Sequence, residues 1–322
     1  MAWSIGIDLG GTNIALGLVD ENRRIVDRES AKTRAPRSAE SLVETMASCV
    51  KALLDRQGLG EDHLEALGVG LPGVIDPSSG LLVNAVNLGL RQVDFVSLLQ
   101  NRFPGLAVRA GNDGDAAAWG EYLAGEGGPW GSVLMLTLGT GVGGGLVYDG
   151  RIFRGGTGLG IEPGHLVVQS EGGLACTCGR SGCLEVYTSI RGLNRLLAEA
   201  LEGTDPPVWA RALDPGQPSR NVPFFFEAAR AGDQLALGVL DRYTAFLASG
   251  LRSLIMLYRP HRILLGGGIS HAGEVLLKPL HQALFERAAP DDILSPPPVR
   301  ISRLGNDAGI IGAALLHLEG RI

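Results

Sequence analysis

The chain has 322 residues, of which 45% are hydrophobic and 19% are charged. This composition supports a large buried core and excludes a disordered protein, and the length favours two domains over one. The formal net charge is −6, and the lysines and arginines form no cluster along the chain. Because nucleic-acid binding relies on such clusters, we expect neither DNA nor RNA to be a partner.

The N-terminal segment predicts a β-hairpin followed by a third strand. Apolar runs at Ile5–Leu9 and Ile14–Asp20 flank the turn Gly10–Asn13, and another strand is expected near Ile25–Lys32. The chain enters its first strand at Trp3 instead of showing a charged and then apolar leader. We therefore expect no signal peptide and a soluble, cytoplasmic protein.

Helical and strand patterns then alternate through the rest of the first half. Apolar residues at helical spacing predict a helix that ends before Gly58, and apolar runs predict two buried strands. The predicted elements are a helix over Leu42–Leu54, a strand at Ala66–Leu71, a strand at Leu106–Ala110 and a helix from about Asp115 to Ala124.

The opening pattern recurs in the second half of the chain. A strand at Val133–Leu138, the glycine-rich turn Gly139–Gly145 and a strand at Leu146–Tyr148 repeat the first hairpin. The uncharged stretch 127–148 is long enough for a membrane helix, but its glycines and alternating leucines favour strands. We therefore expect a duplicated architecture and no membrane association.

Longer helices dominate the C-terminal part. Helices are predicted at Leu193–Leu201 and Asp233–Tyr258, a strand at Arg262–Leu265 and a final helix at Asn306–Gly320. The proline-rich segment Pro206–Pro223 is expected to be an irregular surface loop. Strands and helices that alternate through both halves imply an α/β fold with mixed sheets.

Three glycine-rich turns could each hold a phosphate or a ribose. Glycine lets the backbone approach an anion and present its N–H groups, and Asp8 is placed to hold a metal-bound water. None has the spacing of a dinucleotide-binding motif or a P-loop. Each alone could be an ordinary turn, but together they favour a nucleotide site. The residues are Asp8, Gly10, Gly11, Thr12 and Asn13 in the first, Gly139, Thr140 and Gly141 in the second, and Gly266, Gly267 and Gly268 in the third.

A Cys₃His set, which is typical of structural zinc, falls within 19 residues of the chain. Two disulfides are the alternative because the chain has four cysteines, but three are clustered and Cys49 lies on the apolar face of a predicted helix. Glu162 and Glu185 flank the set without being needed by the metal, which suggests a polar pocket. The four predicted ligands are His165, Cys176, Cys178 and Cys183.

These motifs resemble those of the ROK family (repressors, open reading frames and sugar kinases) within the actin-like ATPase superfamily. The resemblance runs from residue 8 to about residue 312. Its most specific part is the zinc and sugar region. The matching segments are Asp8–Asn13 and Leu138–Gly145 for two phosphate motifs, Leu265–Ser270 for the adenosine motif, Asn112–Glu121 for the catalytic segment and Glu162–Glu185 for the zinc and sugar region.

The resemblance implies a two-domain α/β fold of the actin-like ATPase (ribonuclease H-like) type, with mixed sheets and an interdomain cleft. The small domain would comprise residues 1–112 joined by the C-terminal helix 306–322, and the large domain residues 113–305 with the zinc-binding loop. Ile161 stands where the family usually has glycine, and Asp115 where it tends to have asparagine. Both departures leave every proposed ligand in place. The family also implies a homodimer.

The activity that the resemblance implies is ATP-dependent phosphorylation of the 6-hydroxyl of a hexose, with Asp113 as the general base. On spacing alone, Asp113 could instead cap the following helix. Mg²⁺ would accompany ATP, held through Asp8 and waters, and the zinc would be structural. The sugar contacts implied by the resemblance are Asn112, Asp113, Glu162, His165 and Glu185. Gly73, at the end of a predicted strand, and Asn87 are further candidate sugar contacts.

Glucose is the first choice of substrate, with a role in glycolysis, because the segment Glu185–Ser189 resembles the glucokinase branch. Kinases for N-acetylglucosamine, N-acetylmannosamine, fructose or allose share most of these residues, and polyphosphate or ADP could replace ATP. A sugar-sensing repressor of the same family would carry a DNA-binding helix-turn-helix before the first phosphate motif. An actin-like chaperone or filament protein would have no use for the Cys₃His set, and fold alone does not assign function.

Overall fold

Strands and helices alternate in the computed structural model, which describes residues 3–76, 78–126, 128, 131–285 and 296–320. This alternation in mixed sheets confirms the predicted α/β class. The strands are β1 (Trp3–Leu9), β2 (Asn13–Val19), β3 (Ile25–Lys32), β4 (Leu64–Leu71), β5 (Val74–Ile75), β6 (Leu81–Ala85), β7 (Leu90–Asp94), β8 (Ala107–Asn112), β9 (Ser132–Leu138), β10 (Val142–Tyr148), β11 (Arg151–Ile152), β12 (Arg262–Gly266) and β13 (Val299–Ile301).

The helices of the described part of the chain range from one turn to seven. They are α1 (Ala39–Gln57), α2 (Phe95–Gln100), α3 (Asp113–Ala124), α4 (Glu185–Thr188), α5 (Ile190–Leu201), α6 (Pro218–Arg230), α7 (Gln234–Tyr258), α8 (Glu274–Phe285) and α9 (Asp307–Ala314).

The first sheet has the order β3-β2-β1-β4-β8. β1 pairs antiparallel with β2, and β2 with β3, as the hairpin prediction requires. β1 pairs parallel with β4, and β4 with β8, so these three strands end at the same edge of the sheet. The sheet therefore carries the segments that follow β1, β4 and β8 side by side.

The two faces of this sheet are covered in different ways. Ile5 and Ile7 point into an apolar core that also contains Leu42 and Met46 of α1. On the opposite face, glycines admit α9: a Cβ atom placed on Gly6 would lie only 1.9 Å from the backbone oxygen of Ile310, and one on Gly68 would lie 1.8 Å from that of Ala313. The backbone of α9 thus rests directly on the sheet, because side chains alternate between the faces of a strand.

Helix α9 is also held by α3. A Cβ atom on Gly312 would lie 1.6 Å from the backbone oxygen of Ala116, and one on Gly120 would lie 2.2 Å from that of Ala308. Larger side chains at these glycines would force the two helices apart. The close packing fixes α3, which begins at Asp113, against the first sheet and α9.

Two further sheets complete the described secondary structure. One has the order β11-β10-β9-β12-β13, and a small antiparallel one has the order β5-β6-β7. The sequence analysis did not predict the small sheet, α2 or α8. The segment Pro206–Pro223, predicted to be irregular, contains the start of α6 because Pro218 stands at the first helical position, where its missing N–H costs nothing. The predicted helix to residue 320 ends at Ala314, and a short 3₁₀ turn follows at Leu316–Leu318; residues 321 and 322 lie outside the described part.

The chain groups into two compact units. Unit 1 contains residues 1–135, 145–161 and 303–322, and unit 2 contains residues 136–144 and 162–302. Helix α3, which the sequence prediction assigns to the large domain, falls in unit 1 because it packs on α9. Among the described residues, no helix combines the length and apolarity that a membrane crossing needs.

Candidate active site

Asp8 and Asp113 lie on one face of the first sheet, at the edge where its parallel strands end. Asp8 of β1 is the register partner of Gly70 in β4. A Cβ atom on Gly70 would lie 3.6 Å from the Cα of Asp113. Because paired residues of neighbouring strands point to the same face, the start of α3 sits over the strand next to Asp8. Two of the predicted site regions are therefore neighbours within unit 1.

The first glycine turn is tight, exposed and open on its outer side. The Gly10 amide donates a hydrogen bond of 2.9 Å to the Asn13 backbone oxygen, which closes the hairpin. Nothing lies within 4 Å of a Cβ atom placed on Gly11, and residues 11–13 are exposed. Such a turn leaves room for a phosphate to reach the backbone.

The carboxyl group of Asp8 sits at the base of this hairpin against α9. A Cβ atom on Gly309 would lie 3.1 Å from Oδ2 of Asp8. Burial raises the pKa of Asp8 from 3.8 to about 6. A half-buried carboxylate at this position is suited to hold a cation or its water ligands.

Asn112, and not Asp113, is the N-cap of α3. Oδ1 of Asn112 accepts hydrogen bonds from the amides of Gly114 at 2.8 Å and Asp115 at 3.1 Å. Its Nδ2 donates to the backbone oxygen of Gly73 at 3.0 Å. Asp113 lies in the first turn of the helix, and its Oδ1 also accepts from the Gly114 amide at 2.9 Å. The capping role that spacing alone allowed for Asp113 thus belongs to its neighbour.

Gly73 lies beside Asn112, whereas Asn87 does not share this network. Gly73 has a φ of 99°, and a Cβ atom there would lie 2.1 Å from the backbone oxygen of Asn84, so only glycine fits. Asn87 is exposed in a 3₁₀ turn after β6. Within the described ranges, no hydrogen bond joins the Asn87 side chain to Gly73, Asn112 or Asp113.

The Cys₃His set comes together in unit 2. One donor atom from each of the four residues can be chosen so that all four lie within 4.8 Å of one another. Sγ of Cys176 is 3.6 Å from Nδ1 of His165, and Sγ of Cys178 is 3.7 Å from Sγ of Cys183. Tetrahedral zinc with bonds of about 2.3 Å to sulfur places two sulfurs about 3.8 Å apart. All four cysteines are free thiols, so the disulfide alternative is not what the structure shows.

Local hydrogen bonds shape the loop that carries these ligands. The Cys176 amide donates to the Arg180 backbone oxygen at 2.8 Å, and the Gly182 amide donates to that of Leu174 at 2.8 Å. The hydroxyl of Tyr187 accepts from the Leu174 amide at 3.0 Å. The sequence analysis did not identify Tyr187 as a support of this loop. Its hydrogen-bond partner lies 13 residues earlier, and no local sequence pattern predicts such a contact.

Glu185 connects the ligand cluster to the second glycine turn. Its Oε2 accepts a hydrogen bond of 3.0 Å from the Val142 amide, and its Oε1 lies 3.9 Å from Sγ of Cys176. A Cβ atom on Gly141 would lie 2.5 Å from Oε2. Burial raises the pKa of Glu162; His165 counters this shift and Glu185 adds to it. Two carboxyl groups and the imidazole therefore share one polar neighbourhood.

The second and third glycine turns touch each other. Gly267 has a φ of 82°, and a Cβ atom there would lie 2.6 Å from the backbone oxygen of Leu138. The backbone oxygen of Gly139 accepts a hydrogen bond of 2.8 Å from the Ile190 amide at the start of α5. Glycine at position 267 thus lets the end of β12 meet the end of β9.

A cavity of about 320 Å³ opens beside the third glycine turn. Its walls are mostly apolar with a few polar side chains, which is the usual composition of a site for a small organic ligand. Sequence reasoning missed the α6 side of this cavity because it treated part of that helix as a loop. The lining includes Ile190, Val222, Phe226, Arg230, Gly268 and His271.

Known proteins share this sequence and structure over nearly their whole length. The ROK family profile matches residues 4–319. A glucokinase of Halalkalibacterium halodurans is 35% identical over 98% of this chain and 94% of its own, and a glucokinase of Thermotoga maritima is 34% identical over 98% and 97%. A ROK family glucokinase from Streptomyces griseus, solved in complex with glucose and AMPPNP, is 35% identical over 98% of both chains, with a TM-score of 0.80. These relatives confirm the predicted fold class.

Proposed function

Because the chain belongs to the ROK family and is a sugar kinase, we propose that it is a glucokinase that transfers the γ-phosphoryl group of ATP to the 6-hydroxyl of glucose. The observation that carries the proposal is the position of Asp113 over the strand next to Asp8, beside the open hairpin Gly10–Asn13. A proton acceptor and a phosphate cradle on one sheet face are the two parts that phosphoryl transfer requires.

Asp113 accepts the proton in this proposal. As the 6-oxygen of the sugar forms its bond to the γ-phosphorus, the bond from that phosphorus to the bridging oxygen of ADP breaks, and the hydroxyl proton passes to the Asp113 carboxylate. The base need not be strong, because the proton leaves late in a loose transition state. Asn112 fixes the start of α3 through its cap bonds and its bond to Gly73, and so positions Asp113.

The nucleotide would use the three glycine turns. Gly10–Asn13 and Gly139–Gly141 would bind phosphates through backbone amides, and Gly266–Gly268 would meet the adenosine, with the adenine in the adjoining cavity. Mg²⁺ neutralises charge on the transferred phosphate when it is bound. The half-buried Asp8 carboxylate fits a role in holding that ion through waters, and it lies on the same face as Asp113.

The Cys₃His set fits a structural zinc. Four protein donors at tetrahedral spacing leave no open position for a reacting water. The zinc would hold the loop that carries Glu162 and Glu185. It would also orient the His165 imidazole so that the ring nitrogen not bound to zinc can donate to a sugar hydroxyl. Glu162, His165 and Glu185 remain our predicted hydroxyl ligands. By the same family resemblance, we propose a cytoplasmic homodimer that acts in glycolysis.

A hexose panel tests the proposal. Formation of sugar phosphate would be followed with ATP–Mg²⁺ as donor and glucose, N-acetylglucosamine, N-acetylmannosamine, fructose and allose as acceptors, and then with polyphosphate or ADP in place of ATP. We expect the highest kcat/KM with glucose and ATP. A higher kcat/KM with another hexose would leave a sugar kinase with a different substrate, and no sugar-dependent product with any of them would refute the kinase itself.

A further inference from the structure

Lys32 places an ammonium group at the first glycine turn. It is the last residue of β3 and the register partner of Asn13, the first residue of β2. Its Nζ donates a hydrogen bond of 2.8 Å to Oδ1 of Asn13. The hairpin that contains Asn13 is the predicted phosphate cradle, so a cation lies on the rim of that cradle.

The sheet register puts this ammonium on the face that carries Asp8. Asp8 is paired with Ala15, and Asn13 lies two residues earlier on the same strand, so Asp8 and Asn13 point the same way. Asn13 is in turn paired with Lys32. Asp8, Asn13 and Lys32 therefore lie on one face of three neighbouring strands, with Asn13 and Lys32 side by side and Asp8 offset from them by two residues along the strands.

Thr33, the residue after Lys32, is hydrogen-bonded to the hairpin turn. The Thr33 side chain is fully buried, its amide donates to the Thr12 backbone oxygen at 2.9 Å, and its hydroxyl donates to that of Gly10 at 2.7 Å. These bonds occupy the backbone oxygens of Gly10 and Thr12 in the hairpin turn. The position of Lys32 is thereby tied to that of the turn itself.

The Lys32 ammonium has capacity for an anion. An ammonium carries three N–H donors, and the bond to Asn13 uses one. No carboxylate of the described residues lies within 4.0 Å of its Nζ, and the side chain is exposed. Lysine is moreover rare here: the chain has three lysines, Lys32, Lys51 and Lys278, among its 28 basic residues.

We propose that Lys32 binds the phosphate chain of the nucleotide, as a cation added to the backbone cradle at Gly10–Asn13. This inference rests on the proposed kinase function, since it needs a nucleotide at that hairpin. An ammonium is a compact point charge that binds a phosphate oxygen through a charge-assisted hydrogen bond. Asn13 holds the Lys32 side chain ready in the absence of the nucleotide.

Chemical protection tests the contact directly. The folded protein would be reductively methylated with and without AMPPNP–Mg²⁺, and the three lysines would be quantified by mass spectrometry. Lys51 on α1 and Lys278 on α8 are exposed and serve as internal controls. We expect the nucleotide to slow modification of Lys32 by about fivefold or more and to leave Lys51 and Lys278 unchanged, given the strength of a charge-assisted bond. Unchanged modification of Lys32 at saturating nucleotide overturns the inference.

Steady-state kinetics of a matched set of variants gives the second test. Lys32→Met should raise the KM for ATP about tenfold or more, with the KM for glucose nearly unchanged, whereas Lys51→Met should change neither. Lys32→Arg should restore part of the affinity because it keeps the charge. An unchanged KM for ATP in Lys32→Met contradicts the inference while the kinase activity of the wild type stands. Lack of sugar-dependent ADP in the wild type would instead refute the proposed function.

Discussion

Oδ2 of Asp8 and the Cα of Gly309 approach so closely that a Cβ atom on Gly309 would lie 3.1 Å from the carboxylate oxygen. The side chain of Asp8, near the end of β1, is therefore in contact with a glycine in the first turn of α9. Because α9 also rests on Gly6 and Gly68, it cannot shift away from the sheet without breaking other close contacts. The position of Asp8 is thus set by a helix that lies some 300 residues later in the chain.

Gly309→Ala should impair nucleotide use. The added methyl group pushes the Asp8 carboxylate from its place, so we expect the KM for ATP–Mg²⁺ to rise about threefold to tenfold and the KM for glucose to change little. Gly238→Ala is the matched control, because nothing lies within 4 Å of a Cβ atom at that position in α7. It should stabilise the fold by about 0.5–1 kcal/mol with unchanged kinetics. Equal KM values for ATP in the two variants would contradict the Asp8–Gly309 relationship.

The pKa of Asp8 predicts a pH-dependent stability difference. Burial raises the pKa from 3.8 to about 6, so between these values the folded state binds more protons than the unfolded state. The contribution of Asp8 to the free energy of unfolding is therefore fully present below pH 3.8 and is lost as pH rises through 6. As the pH rises from 3.8 to about 6, the free energy of unfolding of Asp8→Asn should increase by up to about 3 kcal/mol relative to that of the wild type. Urea unfolding of both proteins at several pH values measures the difference, and a pH-independent difference refutes the assigned pKa.

Zinc content tests the Cys₃His cluster. We expect about one zinc per chain in the purified wild type by elemental mass spectrometry, and loss of the metal in Cys178→Ser. Loss of zinc should loosen the loop between His165 and Cys183 and weaken glucose binding before the whole protein unfolds. Cys49→Ser is the control, since Cys49 is a free cysteine in α1 far along the chain from the set. A wild type without zinc contradicts the cluster's proposed role.

Glu185→Gln separates charge from packing in unit 2. Glutamine keeps an oxygen that can accept the hydrogen bond from the Val142 amide, so the fold should be nearly unchanged. The loss of the negative charge should raise the KM for glucose about tenfold, because hydrogen bonds to charged groups are the stronger ones. Glu171→Gln, at an exposed position of the same loop, should have no effect. Equal glucose KM values in both variants would remove Glu185 from the sugar ligands.

Much of the fold follows from local patterns. The first hairpin and the long helix α7 were predicted within a residue or two, because apolar periodicity and glycine turns are signals carried by neighbouring residues. The start of α3 was placed two residues late, since the bonds from Asn112 that begin the helix depend on its side-chain rotamer. Pro223 misled the prediction for α6, because a proline there usually signals a loop.

The candidate site was predicted less completely, for a physical reason. The four zinc donors come from one short segment, so their spacing revealed them. The hydrogen bond between Glu185 and the Val142 amide joins residues 43 positions apart. The contact between Asp8 and Gly309 joins residues about 300 positions apart. Such contacts follow from tertiary packing, which no local pattern carries.

Asp113→Asn is the most direct test of the central claim that Asp113 accepts the proton of the sugar hydroxyl. The substitution keeps the size of the side chain, and Asp62→Asn, at a highly exposed position, is the matched control. We expect kcat with glucose and ATP–Mg²⁺ to fall by about 10²–10⁴-fold, while the Kd for AMPPNP, measured by calorimetry, stays within about twofold of the wild-type value. An Asp113→Asn enzyme that keeps about a tenth or more of wild-type turnover would contradict the account.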